Sequence, residues 1–521
     1  MDRKKIKYIL FIIIVGGLAL RLMELKEPWI GLRDFNGALH TQIAKNYVRF
    51  GYLETALGPV TNFEPNPEEF TYYLHHPILL NLILSIFVKV FGPAEWAMRL
   101  LPVLTSTAEI LLIFILVRML WGEVPALFSS LFLAFIPMTG YFGRMVNNEA
   151  VVSPIMISLM IFYVRKSRHD RIRDTAAFYV LLLIGLLMDW SIYYVAGYLF
   201  IHRVIFGKRN LAGLIRSAAP PLMAIAVFGL FLFHGWYLTG SLGHNLLTIF
   251  LERVGAVPDL MAKGSYYTVL RRFLYFFTPI TVFLSAIFLF REVFKNGRCI
   301  SGDGSILIIL YLIAITHILL FREAALLHEY YLYYFSAPIV ISSALGLDHI
   351  LTAARREWQK KAILVLVLVG FIPLSVLRVQ SVHKISRFED IPDLGEWLQK
   401  NTASDDEILV IGPPLSYFGY SQDHFAYYHG PIHTKPWPHL GFYTCRKIRW
   451  SVRDLEELEQ ILMDPGRLEY AVLSIVRIDP IIEGALEILS SQAEEIRPDE
   501  WGKDDSVLIR IFKLRSENRR H

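Results

Sequence analysis

A polytopic α-helical membrane protein with a C-terminal extracytoplasmic α/β domain is the fold class that this sequence predicts, on three observations. Apolar runs of about twenty residues recur between Tyr8 and Arg378, each long enough to cross roughly 30 Å of hydrocarbon. Basic clusters punctuate those runs at intervals, as in the cytoplasmic loops of membrane proteins. After Arg378 the long runs stop, and short strand-like and helix-like segments follow. Composition agrees: 54% of the 521 residues are hydrophobic and 19% charged, against about 45–50% and a quarter in soluble domains. The net charge of +5 carries little information beside the positions of the basic residues.

Arg3, Lys4, Lys5 and Lys7 precede the first apolar run, so the N-terminus is expected in the cytoplasm. No small-residue cleavage site follows Leu20, which makes the run a retained anchor rather than a signal peptide. Candidate spans are 8–24, 97–119, 124–141, 150–164, 176–190, 191–205, 217–238, 268–290, 304–321, 331–350 and 361–378. With these eleven, every basic cluster falls on the cytoplasmic side. The segment His76–Phe91 is then assigned to the outer interface, because it opens with Pro77 and is short. The transmembrane domain covers 1–380, with outer loops at 25–96 and 239–267, and the tail covers 381–521.

In the tail, Ile391–Leu398 reads as a short amphipathic helix and Glu407–Gly412 as a buried strand ending at a turn. Tyr470–Val476 and Ser506–Phe512 read as strands, Arg453–Met463 and Glu483–Glu494 as helices. Tyr417–Trp437 is rich in tyrosine and histidine and offers either glycan stacking or domain core. Cys299 and Cys445 fall on opposite faces of the membrane and cannot bridge, and no zinc-type spacing is present. Walker and Rossmann glycine patterns are absent, so neither nucleotides nor nucleic acid are the expected partners.

The polar residues of chemical interest converge on the outer face. Asp34 precedes an amphipathic stretch with Phe35, Leu39, Ile43, Tyr47 and Phe50 on one side and Asn36, His40, Lys45 and Arg49 on the other. Such a helix suits the outer leaflet, and Asp34 suits its N-cap as well as a catalytic carboxylate. His75 and His76 stand before the interfacial segment, as anchors or as phosphate ligands. Arg99 and Arg144 sit near headgroup level, able to pair with phosphate or with Glu95 and Glu149. Arg271 and Arg272, just inside a span, are costly in hydrocarbon unless they face phosphate or water. His328, Tyr330 and Tyr331 precede the tenth span, where tyrosines commonly form an aromatic belt. His244, Glu252 and Arg253 in loop 239–267 are placed to cover a site, and Asp189-Trp190 reads as an outer boundary pair.

The run Arg33–Gly51, with His76-Pro77, Phe91–Leu100, Arg144–Glu149, Glu329–Tyr331 and Pro338 in the same order, resembles the GT-C superfamily of polyprenyl-phosphate-sugar-dependent glycosyltransferases. The likeness is to their protein O-mannosyltransferase-like and aminoarabinose-transferase-like branches and covers about 380 residues. It implies an inverting transfer from a lipid-phosphate sugar to an extracytoplasmic acceptor hydroxyl or amine. It also implies that Asp34 is the general base, that Glu149 positions the acceptor, and that His75, His76, Arg271, Arg272, His328, Tyr330 and Tyr331 hold the donor phosphate. A phosphate leaves as a stable anion, so cationic and hydrogen-bonding groups suffice for it. Many relatives have a second acid after the first, where this chain has Phe35. No cofactor is firmly implied, although oxygen-only ligation by Asp34 and Glu149 would suit magnesium or manganese. The rival class is a transporter or lipid flippase, for which the paired inverted halves expected of many such proteins are not evident.

Overall fold

The structure is a computed structural model that describes residues 2–63, 66–169, 171–207, 210–243, 246–254, 256, 266–292, 302–384, 390–412, 438–450, 454–474, 480–496 and 509–514. Cys299, His244 and the stretch 417–437 lie outside the described residues.

The first half is helical throughout: α1 (Arg3–Arg21), α2 (Asp34–Phe50), α3 (Leu79–Phe91), α4 (Glu95–Trp121), α5 (Glu123–Phe135), α6 (Pro137–Phe142), α7 (Asn148–His169), α8 (Ile172–Leu186), α9 (Ser191–Phe206) and α10 (Leu211–Thr239). There follow α11 (Leu246–Val254), α12 (Tyr266–Phe277), α13 (Pro279–Leu289), α14 (Gly304–Leu320), α15 (Arg322–Leu327), a 3-10 turn over Glu329–Phe335, α16 (Ser336–Ala353) and α17 (Glu357–His383). Every expected span falls on a helix. Among the described residues, five helices are long and apolar enough to cross a membrane, and the α12–α13 pair makes six if it counts as one broken span. Gly92 and Gly122, with φ of 79° and 94°, end α3 and α4 where a side chain would be strained.

Two expected spans are broken. The span 268–290 bends by 101° between α12 and α13, because Pro279 has no N–H to continue the ladder. The Thr278 side chain instead caps the new helix through the Thr281 N–H. The span 124–141 is divided at Ile136-Pro137 into α5 and α6 for the same reason. Arg271 and Arg272 therefore belong to a short separate helix.

The helix after Asp34 also differs from expectation. It is not an amphipathic helix with a wet polar face: Asn36, His40, Gln42 and Asn46 are all buried. Most of their polar atoms are satisfied internally, as is usual for buried polar groups, although Asn46 Oδ1 has no partner among the described residues. His40 donates Nδ1–H to Asn81 at 2.8 Å, and Asn46 bonds the Val60 and Asn62 carbonyls at 2.9 Å. α3 packs along one side of α2.

The tail begins with α18 (Asp390–Asn401) and continues through β1 (Glu407–Ile411), α19 (Pro438–Thr444), β2 (Lys447–Trp450), α20 (Leu455–Met463), β3 (Leu468–Ser474), α21 (Pro480–Gln492), β4 (Glu494–Ile496) and β5 (Ile509–Lys513). The strand order is β2-β1-β3-β5-β4, with β1 parallel to β2 and β3, and β5 antiparallel to β3 and β4. Both faces are covered, which explains why β1 is apolar without alternation. Leu409 and Ile411 pack with Leu458, Ile482 and Leu489 from α20 and α21, whereas Ile408 and Val410 pack with Leu394, Leu398 and Leu440 from α18 and α19.

α19 fastens this domain to α2. The Tyr443 hydroxyl donates to Glu95 Oε1 at 2.8 Å and accepts the Trp29 N–H at 2.8 Å. Lys45 donates to the Phe442 carbonyl at 3.1 Å. Tyr443→Phe removes a hydroxyl that serves the buried Trp29 N–H and the half-buried Glu95 carboxylate, and an unsatisfied buried group costs about 1–3 kcal/mol. Thermal unfolding in detergent should show that loss, while an unchanged midpoint would mean that the latch contributes nothing.

Candidate active site

The segment 22–33 connects α1 to α2, and two buried arginines hold it. Arg99, 1% exposed, donates to the carbonyls of Leu25 at 3.1 Å and Pro28 at 3.2 Å, and also to that of Glu27. Its guanidinium lies 4.3 Å over the Trp29 ring and 3.0 Å from Asp34 Oδ2. Arg144 donates to the Met23 and Glu24 carbonyls at 3.0 and 2.6 Å.

Asp34 is the first residue of α2 rather than its cap. The cap position belongs to Arg33, at φ 67°, and no side chain caps the helix. Asp34 Oδ2 accepts the Gly31 N–H at 2.9 Å in addition to Arg99, and the residue is 5% exposed. It does not line the neighbouring cavity, whereas Phe35 and Asn36 do.

That cavity, of about 620 Å³, lies between α2, the segment 61–76, the start of α7, Arg253 of α11, the Glu329–Phe335 turn and the tail. One part of its wall carries His75, His76, Asn147, Glu149, Arg253, His328, Tyr330 and Tyr331; another carries Gln42, Asn62, Thr71, Gly441, Arg446 and Lys447. Its size is that of a small-molecule site. Of the expected residues, the structure brings together Glu149, His75, His76, His328, Tyr330 and Tyr331. Arg272 is drawn aside by Glu329 at 2.9 Å and by the Leu326 carbonyl at 2.6 Å, and Arg271 is exposed. Arg33 pairs with the same Glu329 at 3.0 Å.

Glu149 is 5% exposed at the start of α7, and its Oε2 has no hydrogen-bond partner among the described residues. His76 donates Nδ1–H to Asp189 Oδ1 at 3.1 Å, and Tyr334 and the Ser191 N–H approach Oδ2 at 2.9 and 3.1 Å. This fixes the imidazole plane, as a carboxylate does for a ligating histidine. Burial pushes the His76 imidazole below its usual range despite that bond, and burial beside Arg33 pushes His328 well below it. Both rings are neutral at pH 7, and because the one N–H of His76 goes to Asp189, its Nε2 is an acceptor. Arg253 contacts the Tyr73 hydroxyl and is the cation on the Glu149 part of the wall.

Three features were not legible in the sequence. Asp189 reads there as a boundary residue, and only the fold places it behind His76. Arg253 reads as cover, although a lone arginine in a polar outer loop was the available signal. The tail's contribution to the cavity wall had no sequence signal.

Residues 75–237 match the dolichyl-phosphate-mannose-protein mannosyltransferase family. No curated protein sequence matches the chain significantly. Among solved structures, ArnT from Cupriavidus metallidurans bound to undecaprenyl phosphate aligns with a TM-score of 0.62 at 11% identity, covering 97% of this chain and 98% of that one. Its apo state aligns at 0.61 and 12% identity, with 97% and 98% coverage. The oligosaccharyltransferase AglB from Archaeoglobus fulgidus, in complex with an inhibitory peptide and a dolichol-phosphate, aligns at 0.60 and 14% identity over 91% of this chain and 70% of that one. The chain thus has the GT-C fold, shared with these structures over nearly its whole length.

The buried imidazoles set a pH dependence. Burial lowers His40 to about 4, against about 6.5 when unfolded. The unfolded chain therefore binds the proton better, so stability is intact above about pH 6.5 and drains away toward pH 4, by up to about 3 kcal/mol. His76 and His328 act in the same direction. Unfolding midpoints in detergent should fall between pH 7 and pH 5, and less steeply in His40→Gln. Identical slopes for the two proteins would remove His40 from this account.

Proposed function

We propose that this protein is an integral-membrane glycosyltransferase that moves a sugar, with inversion, from a polyprenyl-phosphate carrier to an extracytoplasmic acceptor. The observation that carries the reading is the meeting of Glu149, Arg253, neutral histidines and tyrosine hydroxyls in one cavity. The GT-C fold and the family match over 75–237 support it. ArnT and AglB are bound to undecaprenyl phosphate and a dolichol-phosphate in the matched structures, and we extend that class of carrier to this chain.

In this reading Arg253 meets the donor phosphate, assisted by the Tyr330 and Tyr331 hydroxyls, while His76, whose one N–H goes to Asp189, supplies no donor to it. The phosphate leaves as an anion that these donors stabilise, without a protonating acid. The acceptor attacks the anomeric carbon from the opposite side while a carboxylate takes its proton. The family resemblance assigns the proton acceptance to Asp34 and acceptor positioning to Glu149; the geometry favours Glu149 as the base. It lines the cavity with an unpartnered oxygen, and burial beside Asp189 pushes it up to about 8, near the operating range of a general base, whereas Oδ2 of Asp34 holds Arg99 and the Gly31 N–H. Asp34 then anchors the first loop, and no step is assigned to a divalent cation.

The transporter reading would recruit intramembrane charges, which often mark translocation paths. Arg21 and Glu109 are such charges, but both are engaged in packing. Arg21 bonds Ser106 and the Gly17 and Ala134 carbonyls at 2.9–3.1 Å, and Glu109 accepts from Ser153 at 2.5 Å and Tyr333 at 3.3 Å.

Release of labelled sugar from a purified polyprenyl-phosphate donor tests the activity itself; a chain that releases none under any acceptor condition is not this enzyme. Glu149→Gln should lower turnover by about 10²–10⁴-fold, the usual contribution of a general base. Arg253→Ala should raise the donor KM. Asp34→Asn leaves Arg99 buried without its countercharge and should cost stability, about 3–5 kcal/mol, while folded material keeps its turnover. Loss of turnover in folded Asp34→Asn, with retention in Glu149→Gln, would return the base to Asp34.

A further inference from the structure

We propose that Glu24, Glu27 and His383 form a binding site for a divalent transition metal, zinc in the first instance, that ties the end of α1 to the end of α17. Each of the three offers one ligand atom, and these atoms all lie within 4.8 Å of one another. His383 Nδ1 and Glu24 Oε2 are 3.3 Å apart. Zinc–nitrogen and zinc–oxygen bonds of about 2.0–2.1 Å in a tetrahedron separate neighbouring ligands by about 3.3–3.5 Å. The pair therefore already stands at the spacing of two ligands on one ion. Mixed carboxylate and imidazole donors suit zinc or manganese better than magnesium or calcium, which prefer oxygen alone.

The frame around the site is fixed. Glu24 sits at φ 51°, a conformation that a non-glycine residue keeps only when its surroundings enforce it. Arg144 supplies that force through the Glu24 carbonyl at 2.6 Å. Arg144 Nη2 is also 3.4 Å from Glu27 Oε2 and orients that carboxylate from behind. The His383 ring stands edge-on to Tyr141 at 4.9 Å, which sets the imidazole plane. The histidine side chain is 1% exposed and that of Glu24 38%, so an ion would enter from the Glu24 side. None of the three residues lines the cavity proposed as the active site. The inference is therefore independent of the catalytic reading: the metal is a staple where the last long helix leads into the tail.

The test uses the full-length protein in detergent, stripped with chelator and given zinc chloride. Elemental analysis after desalting should find about one zinc per chain, and the unfolding midpoint should rise with zinc. In Glu24→Gln and His383→Gln, zinc should bind at least roughly tenfold more weakly and the midpoint should no longer respond. Glu24 is the more exposed ligand, so its variant carries the test if His383→Gln does not fold. Zinc retention or a zinc-dependent midpoint that is equal in wild type and Glu24→Gln overturns the site, as does a wild type that binds no zinc.

Discussion

The buried pairing of Arg99 with Asp34 is the constraint on which the arrangement around the cavity depends. A guanidinium taken out of water is stable only if its charge and its donors are all answered. Arg99 is answered by one carboxylate, three backbone carbonyls and the Trp29 face. Those partners are spread over the loop between the first two helices, so satisfying one side chain fixes the course of the loop. α2 then begins where it does, with Phe35 and Asn36 turned toward the cavity and Asp34 away from it.

The same logic recurs around the site. Glu329 gathers Arg33 and Arg272, so two cations that could face a phosphate are spent on joining the first loop to the Glu329–Phe335 turn. Asp189 holds His76 and Tyr334. The structural pairs consume their own charge and leave Arg253 and Glu149 to the cavity, which is the separation of roles that group transfer needs: a cation for the leaving phosphate and a carboxylate for the incoming acceptor. The tail completes the wall with Arg446 and Lys447, so its docking through Tyr443 bears on the site as well as on stability.

Much of this was legible in the sequence because hydrocarbon enforces simple patterns. Long apolar runs located the helices, and two buried faces gave β1 its unbroken apolar character. The bend at Pro279 was visible as a proline but not as a break, since hydropathy alone does not register a missing N–H. Of the residues singled out by their order along the chain, Glu149, His75, His76, His328, Tyr330 and Tyr331 line one cavity. The amphipathic reading of α2 failed because periodicity cannot tell water from a buried partner such as Asn81. Arg272 and Asp34 failed to reach the cavity for a related reason: a charged residue near the membrane surface looks the same whether it awaits a ligand or is already paired.

The most direct test is a structure of the protein with a polyprenyl-phosphate sugar bound. The account places the phosphate within hydrogen-bonding reach of Arg253 and the anomeric carbon on the side of Glu149. A headgroup seated instead against Asp34, with Arg99 released from its carboxylate to meet the phosphate, would contradict it.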